Sequence, residues 1–496
     1  MRHRVQQVVP ATGTVSINQD DAPVPKTRTE GAKKAVFAPS GTENRTGEAV
    51  NSIFLYICVM ESQKHIIILV AAACVVTACG YRGALHASYI PEVTDSTHYE
   101  GVRPEFQQLA ALMEKDTGLP TSTGNTLAYI PNGAQKLELM LYDMNRAQES
   151  LYLEYYRICV DSAGVIVLNL LKDKASAGLD VRAYADKAAV IPEYRKKLNT
   201  LNDVGGLYRS FYKPVWVMDH LVPPAGTHRE HRKILMVDGQ TAYLGGRNIQ
   251  DKYWVSWRDA DVRITGPAIE HIATVYMENL LRIEPTQEHI KLEPDLKAAA
   301  LRDTIPGLKQ FYGKTVQIVN DSPTDKILPI RNCFEWAINN SKRYFWLYCP
   351  YTPPPKSTLK ALKDAAARGV DVRWIIPGIS DVFFEKHMAE SLYKDLLEAG
   401  VRIFEWQPTI LHAKQFMTDD YLTAIGSANM DNLSFFLNYE VETLIYDEEF
   451  TLNAKELYLE DIRERCHEVS LDEVKRWNIF RRFRNWFVYT FGGPVG

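Results

Sequence analysis

The chain has 496 residues, 46% of them hydrophobic and 24% charged, with a formal net charge of −4. That length is enough for two or three ordinary globular domains, and the composition is normal for a globular protein. The acidic balance argues against a surface built to gather nucleic acid, so no nucleic-acid partner is expected.

Residues 1–59 are polar and without period, and read as a disordered leader or as sequence that is not translated. Met60 opens a different pattern, "MESQKHIIILVAAACVVTACG". Lys64 supplies a small positive region, and Ile66 to Val76 form an apolar run. The run is shorter than the roughly 20 residues of a membrane span but suits a signal-peptide core. It ends in Val76-Thr77-Ala78-Cys79, which resembles the lipobox of bacterial lipoproteins, where cleavage precedes a cysteine that then carries lipid. On that resemblance residues 60–79 are a signal and anchor, Cys79 is the lipidation site, and the protein is held on a membrane of the bacterial envelope. An uncleaved anchor and a short buried helix remain the alternatives. The seven cysteines are too few and too scattered for a disulfide scaffold, and Cys159, Cys333, Cys349 and Cys466 read as buried free thiols.

Residues 80–125 read as a linker and an opening helix, from the helical spacing of apolar residues in "PEFQQLAALMEKDTG". Two similar halves follow, 126–300 and 301–465. In each, a helix leads to an aromatic-rich buried strand, "AQKLELMLYDMNRAQESLYLEYYRI" and "RNCFEWAINNSKRYFWLYCPY". Next come "LLKDKASAGLDVRAYAD" and "LKDAAARGVDVRWIIPG", each a helix, a glycine stop and a β-branched strand. "LNDVGGLYRSF" and "LLEAGVRIFEW" repeat that order. The alternation predicts an α/β fold of two lobes, each a mixed sheet flanked by helices, with a pseudo-twofold axis through one shared site. The half boundary is expected near 284–315, and the proline-rich stretches 222–228 and 350–356 read as loops near the site. Residues 466–496 form a basic, aromatic C-terminal segment, read either as a helix in a lipid interface or as a last helix packed on the core.

Each half closes on one polar skeleton. His231, Lys233, Asp238 and Asn248 recur as His412, Lys414, Asp419 and Asn429, every one offset by 181 positions. Asp259 and Glu440 keep the same offset, so each histidine has an acid 28 residues downstream. A histidine and a lysine two apart on a strand point to one face. Two such pairs, brought together, make an anion pocket with two imidazoles. One imidazole can attack phosphorus while the other protonates the leaving alcohol. The lysines supply positive charge, so no metal or cofactor is needed. Asn248, Asn429 and Ser427 are candidate phosphate donors; Gly246, the counterpart of Ser427, cannot be one. Asp259 and Glu440 are candidates for the carboxylate that orients each ring. His228 and His231 lack further ligands, so a zinc site is not expected. Tyr152, Tyr155, Tyr156, Trp346, Tyr348 and Tyr351 read as strand core and pocket wall.

The doubled pattern H-x-K-x4-D-x6-G-[GS]-x-N resembles the phospholipase D superfamily. The flanking "HRKILMVDGQTAYLGGRNIQDKYW", "WRDADVRITGPA" and "LHAKQFMTDDYLTAIGSANMDNLSFFLNYEVETLIYD" resemble bacterial cardiolipin synthases, over residues 125–465. The resemblance implies a membrane-associated phosphatidyltransferase that makes cardiolipin and glycerol from two molecules of phosphatidylglycerol, with no obligate protein partner. It implies His231 as nucleophile, His412 as acid and base, and Asp238 and Asp419 as structural supports. The family's common form has two N-terminal membrane spans where this chain has one short apolar run. The alternatives are a phospholipase D that releases phosphatidic acid and, more distantly, a phosphodiesterase acting on nucleic acid.

Overall fold

The computed structural model describes residues 99, 101–211, 216–217, 220–221, 228–283, 308–323 and 327–492. Cys79, the apolar run before it, most of the stretch 222–228 and most of the expected half boundary lie outside these residues. Among the described residues no helix is long and apolar enough to cross a membrane.

The first half runs α1 (Pro104–Thr117), β1 (Ser122–Ile130), α2 (Gly133–Arg146), β2 (Ser150–Tyr155), α3 (Ser162–Ser176), β3 (Asp180–Asp186), α4 (Pro192–Leu198) and β4 (Leu207–Phe211). The short strands β5 (Trp216–Val217), β6 (His220–Leu221) and β7 (Arg229–Glu230) precede β8 (Lys233–Val237) and β9 (Thr241–Gly245). Then come α5 (Asp251–Val255), β10 (Asp261–Thr265) and α6 (Ala268–Ile283). The second half repeats the order with β11 (Phe311–Asp321), α7 (Pro329–Asn340), β12 (Tyr344–Tyr348), α8 (Lys356–Ala367), β13 (Asp371–Pro377), α9 (Phe383–Glu398) and β14 (Arg402–Trp406). It continues with β15 (Gln415–Thr418), β16 (Leu422–Gly426), α10 (Asn432–Phe436), β17 (Asn438–Tyr446) and α11 (Glu448–Arg465). β18 (Cys466–Val469), α12 (Leu471–Lys475) and α13 (Ile479–Gly492) follow.

Local signals explain many of these boundaries. Asn132, Asp161, Asp431 and Asp447 cap the helices that follow them by accepting a backbone N–H. Pro329 opens α7, where the missing N–H costs nothing. Gly178 and Gly369, at φ 95° and 89°, sit where α3 and α8 turn into β3 and β13.

The main sheet reads β18-β14-β13-β12-β15-β16-β17-β11-β1-β10-β9-β8-β2-β3-β4, a near palindrome about the antiparallel contact of β11 with β1. Each lobe carries three parallel strands, β2-β3-β4 and β12-β13-β14, with β18 added antiparallel at the edge of the second, and the inner strands are antiparallel. β2 and β12 are buried along their whole length, as strands covered by helices on both faces must be. The two lobes therefore share one sheet and one axis. The structure corrects the sequence reading at the centre. The stretch read as linker up to residue 125 contains the start of β1, and β1 and β11 are the central strands. "STGNTLAYI" opens with polar residues and glycine, so its strand pattern is weak until a partner buries it.

Candidate active site

His231 lies two residues before β8 and His412 three residues before the equivalent strand β15, each two residues before its lysine. Their backbones are held across the lobe boundary. The His231 N–H donates to the Tyr439 carbonyl at 3.0 Å, and the His412 N–H donates to the Arg258 carbonyl at 2.7 Å. Tyr439 and Arg258 themselves keep the offset of 181. Each precedes a carboxylate, so each histidine meets the acid of the other lobe. Nδ1 of His231 lies 2.8 and 2.9 Å from the two oxygens of Glu440. Nδ1 of His412 lies 2.7 Å from Asp259 Oδ2. The acid 28 residues downstream in the same half is thus not the partner. The sequence reading found the right two acids, and the fold crosses them.

All six groups are buried: His231, His412, Lys233, Lys414, Glu440 and Asp259 are between 0% and 7% exposed. A carboxylate can only accept, so each fixes a proton on Nδ1 and leaves Nε2 with its lone pair. Nδ1 of His412 also lies 2.9 Å from Lys414 Nζ. It cannot both donate to Asp259 and accept from an ammonium, and the carboxylate decides the tautomer. Lys233 and Lys414 each bond the backbone carbonyl of their own histidine.

Burial sets the protonation states. It pushes the His231 imidazole down to about 4, against the pull of Glu440 and with the help of Lys233. His412 is held well below the usual range by burial and then by Lys414, with Lys233 and His231 adding to the push. Lys233 is pushed down to about 7 by burial, opposed by Glu440. Lys414 is lowered by burial and opposed by Asp259. Burial raises Asp259. It would raise Glu440 too, but His231, Lys233 and Ser427 outweigh it and hold that carboxyl low. Both imidazoles are therefore neutral near pH 7, and each feels a cation from the opposite lobe. Two lysines balance two carboxylates, so an entering phosphodiester adds an uncompensated negative charge. That charge draws one proton onto the pair of rings.

The remaining predicted residues divide. Asp238 and Asp419 sit at the far ends of their strands from the histidines, at φ 52° and 53°. Asp238 accepts the N–H groups of Gln148, Glu149 and Ser150. Asp419 accepts those of Lys342, Arg343 and Tyr344. Neither touches an imidazole; each ties down the turn that leads into the neighbouring strand, β2 or β12. Ser427 is not free to donate to a phosphate. Its hydroxyl donates to Glu440 at 2.5 Å and accepts the Val441 N–H. Asn248 is also committed, accepting from the Arg157 N–H and donating to the Tyr253 hydroxyl. Asn429 keeps a buried Oδ1 with no partner among the described residues.

Sequence reasoning missed part of the wall. Tyr253 and Trp257 pack on the His412 ring at 5.0 and 5.5 Å between centroids, and Tyr351, which had been expected there, lies at 5.8 Å. Tyr156, also expected, packs on His231 at 4.8 Å. Tyr253 and Trp257 belong to "NIQDKYWVSW", directly behind the first motif, and that closeness was the available signal. Cys159, Cys333 and Cys349 are buried free thiols, and Cys466 is free and half-buried.

The sequence pattern described as "Cardiolipin synthase, PLD-like domain" matches residues 140–281 and 335–462, more than half the chain. A cardiolipin synthase of Clostridium perfringens is 31% identical over 350 residues, covering 69% of this chain and 71% of that one. Cardiolipin synthase 1 of Bacillus anthracis is 28% identical, covering 75% of this chain and 72% of its own. Among solved structures, phosphatidylserine synthase of Haemophilus influenzae superposes with a TM-score of 0.57 at 14% identity, covering 76% of this chain and 96% of its own; it shares the fold. With two copies of one motif meeting across a twofold sheet, and these matches spanning both copies, the chain belongs to the cardiolipin synthase family of phospholipase D-like proteins.

Proposed function

We propose that the protein is a membrane-associated phosphatidyltransferase that converts two molecules of phosphatidylglycerol into cardiolipin and glycerol. The observation that carries the mechanism is the crossed pairing of His231 with Glu440 and of His412 with Asp259. It leaves two neutral rings with free Nε2 atoms in one buried site where two lysines balance two carboxylates. The substrate reading rests on the curated relatives, which are cardiolipin synthases and span most of both chains.

The proposed steps use the residues of this site. The phosphodiester settles between Lys233 and Lys414, where the Asn429 Nδ2 group can donate to a phosphate oxygen while its unpartnered Oδ1, an acceptor, cannot. A proton taken up with the anion sits on His412 Nε2. The His231 Nε2 lone pair attacks phosphorus, the bond to the leaving glycerol oxygen breaks, and His412 gives that oxygen its proton. His412 then takes the proton of a hydroxyl on a second phosphatidylglycerol. That oxygen attacks phosphorus, the P–N bond breaks, and His231 is restored. The assignment of nucleophile and acid follows the family resemblance. The surroundings support it: Glu440 is held as a carboxylate by three neighbours and stabilises positive charge on His231, while burial raises Asp259 beside His412. The N-terminal signal and a lipid on Cys79 belong to the same proposal.

The test is product analysis. Purified protein incubated with phosphatidylglycerol vesicles should yield cardiolipin and glycerol in equal amounts. Phosphatidic acid as the sole lipid product would sink the synthase reading and point to hydrolysis on the same residues. Mass spectrometry of the mature N-terminus should find a lipidated Cys79; an unmodified chain starting at Met1 or Met60 would refute the anchor.

A further inference from the structure

Helix α13 is fixed to the body by one face. Glu390 of α9 accepts from Asn485 Nδ2 at 2.8 Å, from Arg481 at 2.8 Å and from Arg484 at 3.2 Å. Asn485 and Val488 are buried there. The opposite face carries Ile479, Phe480, Phe483, Trp486 and Phe487, which are 71%, 81%, 60%, 54% and 48% exposed. Their spacing puts them on one helical stripe. Five large apolar side chains on one exposed stripe mark an interaction surface, where scattered single ones would mark nothing.

Charge identifies the partner. From Lys475 to the last residue the chain has no aspartate or glutamate, and Lys475, Arg476 and Arg482 are the cations there that are not committed to Glu390. A second copy of the helix would bring like charges together. An anionic phospholipid surface accepts both parts, with rings at the acyl boundary and cations at the phosphates. The helix also lies close to the reaction. α9 begins at the rim of the pocket, where Asp381 accepts from the Tyr351 hydroxyl at 2.9 Å and pairs with Lys252 at 3.6 Å. Ile379, Val382 and Phe384 on that rim are 50%, 40% and 56% exposed. At the helical rise, Phe384 is about 9 Å along α9 from Glu390, where α13 is clamped.

We propose that the exposed face of α13 is an interfacial helix that seats the enzyme on an anionic phospholipid surface, with the rim of α9 beside it as the side from which lipid enters. The inference holds whichever alcohol ends the reaction. It also holds whether or not the N-terminus adds an anchor.

The test uses the full chain with vesicles whose phosphatidylglycerol or phosphatidylcholine carries brominated acyl chains. Phosphatidylglycerol vesicles should quench part of the tryptophan fluorescence, and Trp486→Phe should lose that part while still binding. Phe480→Ser/Phe483→Ser should weaken vesicle partition contributed by this face by roughly 30-fold. It should lower turnover on vesicles and leave turnover of a monomeric short-chain phosphatidylglycerol unchanged. Equal quenching of wild type and Trp486→Phe would overturn the proposal, because the stripe would then be covered by protein, including the apolar run of residues 66–76. A dimer in solution that Phe480→Ser/Phe483→Ser dissolves would overturn it as well.

Discussion

His231 and His412 occupy equivalent places in the two lobes, but their surroundings differ. Glu440, beside His231, also receives the Ser427 hydroxyl at 2.5 Å and the Asn438 amide at 3.3 Å. Asp259, beside His412, is one methylene shorter and receives the Ala260 N–H at 2.8 Å. The position of Ser427 is Gly246 in the first lobe, where a Cβ would come within 2.2 Å of Asp259 Oδ1. The walls differ too. Tyr253 and Trp257, which pack on His412, correspond by the offset of 181 to Ser434 and Asn438 in the second lobe. A duplicated backbone thus carries two unlike imidazole sites, one with a well-anchored carboxylate and the Tyr156 ring, the other walled by Tyr253, Trp257 and Tyr351. Two steps that need different work from each ring benefit from this asymmetry, because it lets each pKa and orientation be set separately.

The largest expected effect separates the two rings. His231→Ala should remove turnover by at least about 10⁴-fold, as loss of a nucleophile does. With a phosphodiester whose leaving group needs no acid, His412→Ala should still form an adduct on His231, visible by intact-mass measurement, and His231→Ala should not. Adduct on His231→Ala would reverse the assignment. Next come the orienting acids. Glu440→Gln and Asp259→Asn should each lower kcat by about 10³–10⁴-fold with little change in KM, by the logic of a carboxylate that fixes a tautomer. Equal loss at both positions would argue that the asymmetry of the carboxylates is not functional.

The paired positions behind them sharpen the comparison. Ser427→Ala leaves a buried Glu440 oxygen without its hydroxyl donor, a loss of about 1–3 kcal/mol, and kcat should fall by about tenfold or more. Gly246→Ser should be worse, because it must displace Asp259, and the paired measurement of kcat and Tm checks both.

The acidity of the groups gives a pH profile. His231 must be neutral to attack, so kcat/KM should fall as pH drops through about 4. Lys233 must be charged to hold the anion, so kcat/KM should fall as pH rises through about 7. Because bound phosphodiester favours the ammonium, the alkaline limb of kcat should lie higher than that of kcat/KM. The same shift affects stability with a definite sign. An imidazole whose folded pKa lies below 6.5 destabilises the fold as pH falls from there toward about 4, since the unfolded chain binds the proton first. The smallest effect on chemistry is expected at Asp238 and Asp419. Asp238→Ala and Asp419→Ala should each cost about 2 kcal/mol of stability by releasing backbone N–H groups, read as a lower Tm, with kcat nearly unchanged.

Much of this architecture was legible in the residues. Helix–glycine–strand units such as "LLKDKASAGLDVRAYAD" and "LKDAAARGVDVRWIIPG" are local, and they became α3–β3 and α8–β13 as read. The doubled motif announced two lobes and one shared polar site because a fixed offset among polar residues has no local cause. β1 and β11 were missed because central strands owe their order to partners far along the chain. Ser427 was misread as a phosphate donor for a similar reason. Its hydroxyl looked free in the sequence, and only the approach of β16 to β17 gives it to Glu440.

The sequence by itself determined the composition of the site: two histidines, two lysines and two acids at one spacing, in a chain able to build two α/β halves. Only the tertiary structure decided which acid serves which ring, because that pairing depends on the carbonyls of Tyr439 and Arg258 reaching across the lobe boundary to the other lobe's histidine. Hydrogen bonds between positions 208 residues apart, such as His231 to Tyr439, obey no local period, and the twofold packing of one sheet is what brings them within 3.0 Å.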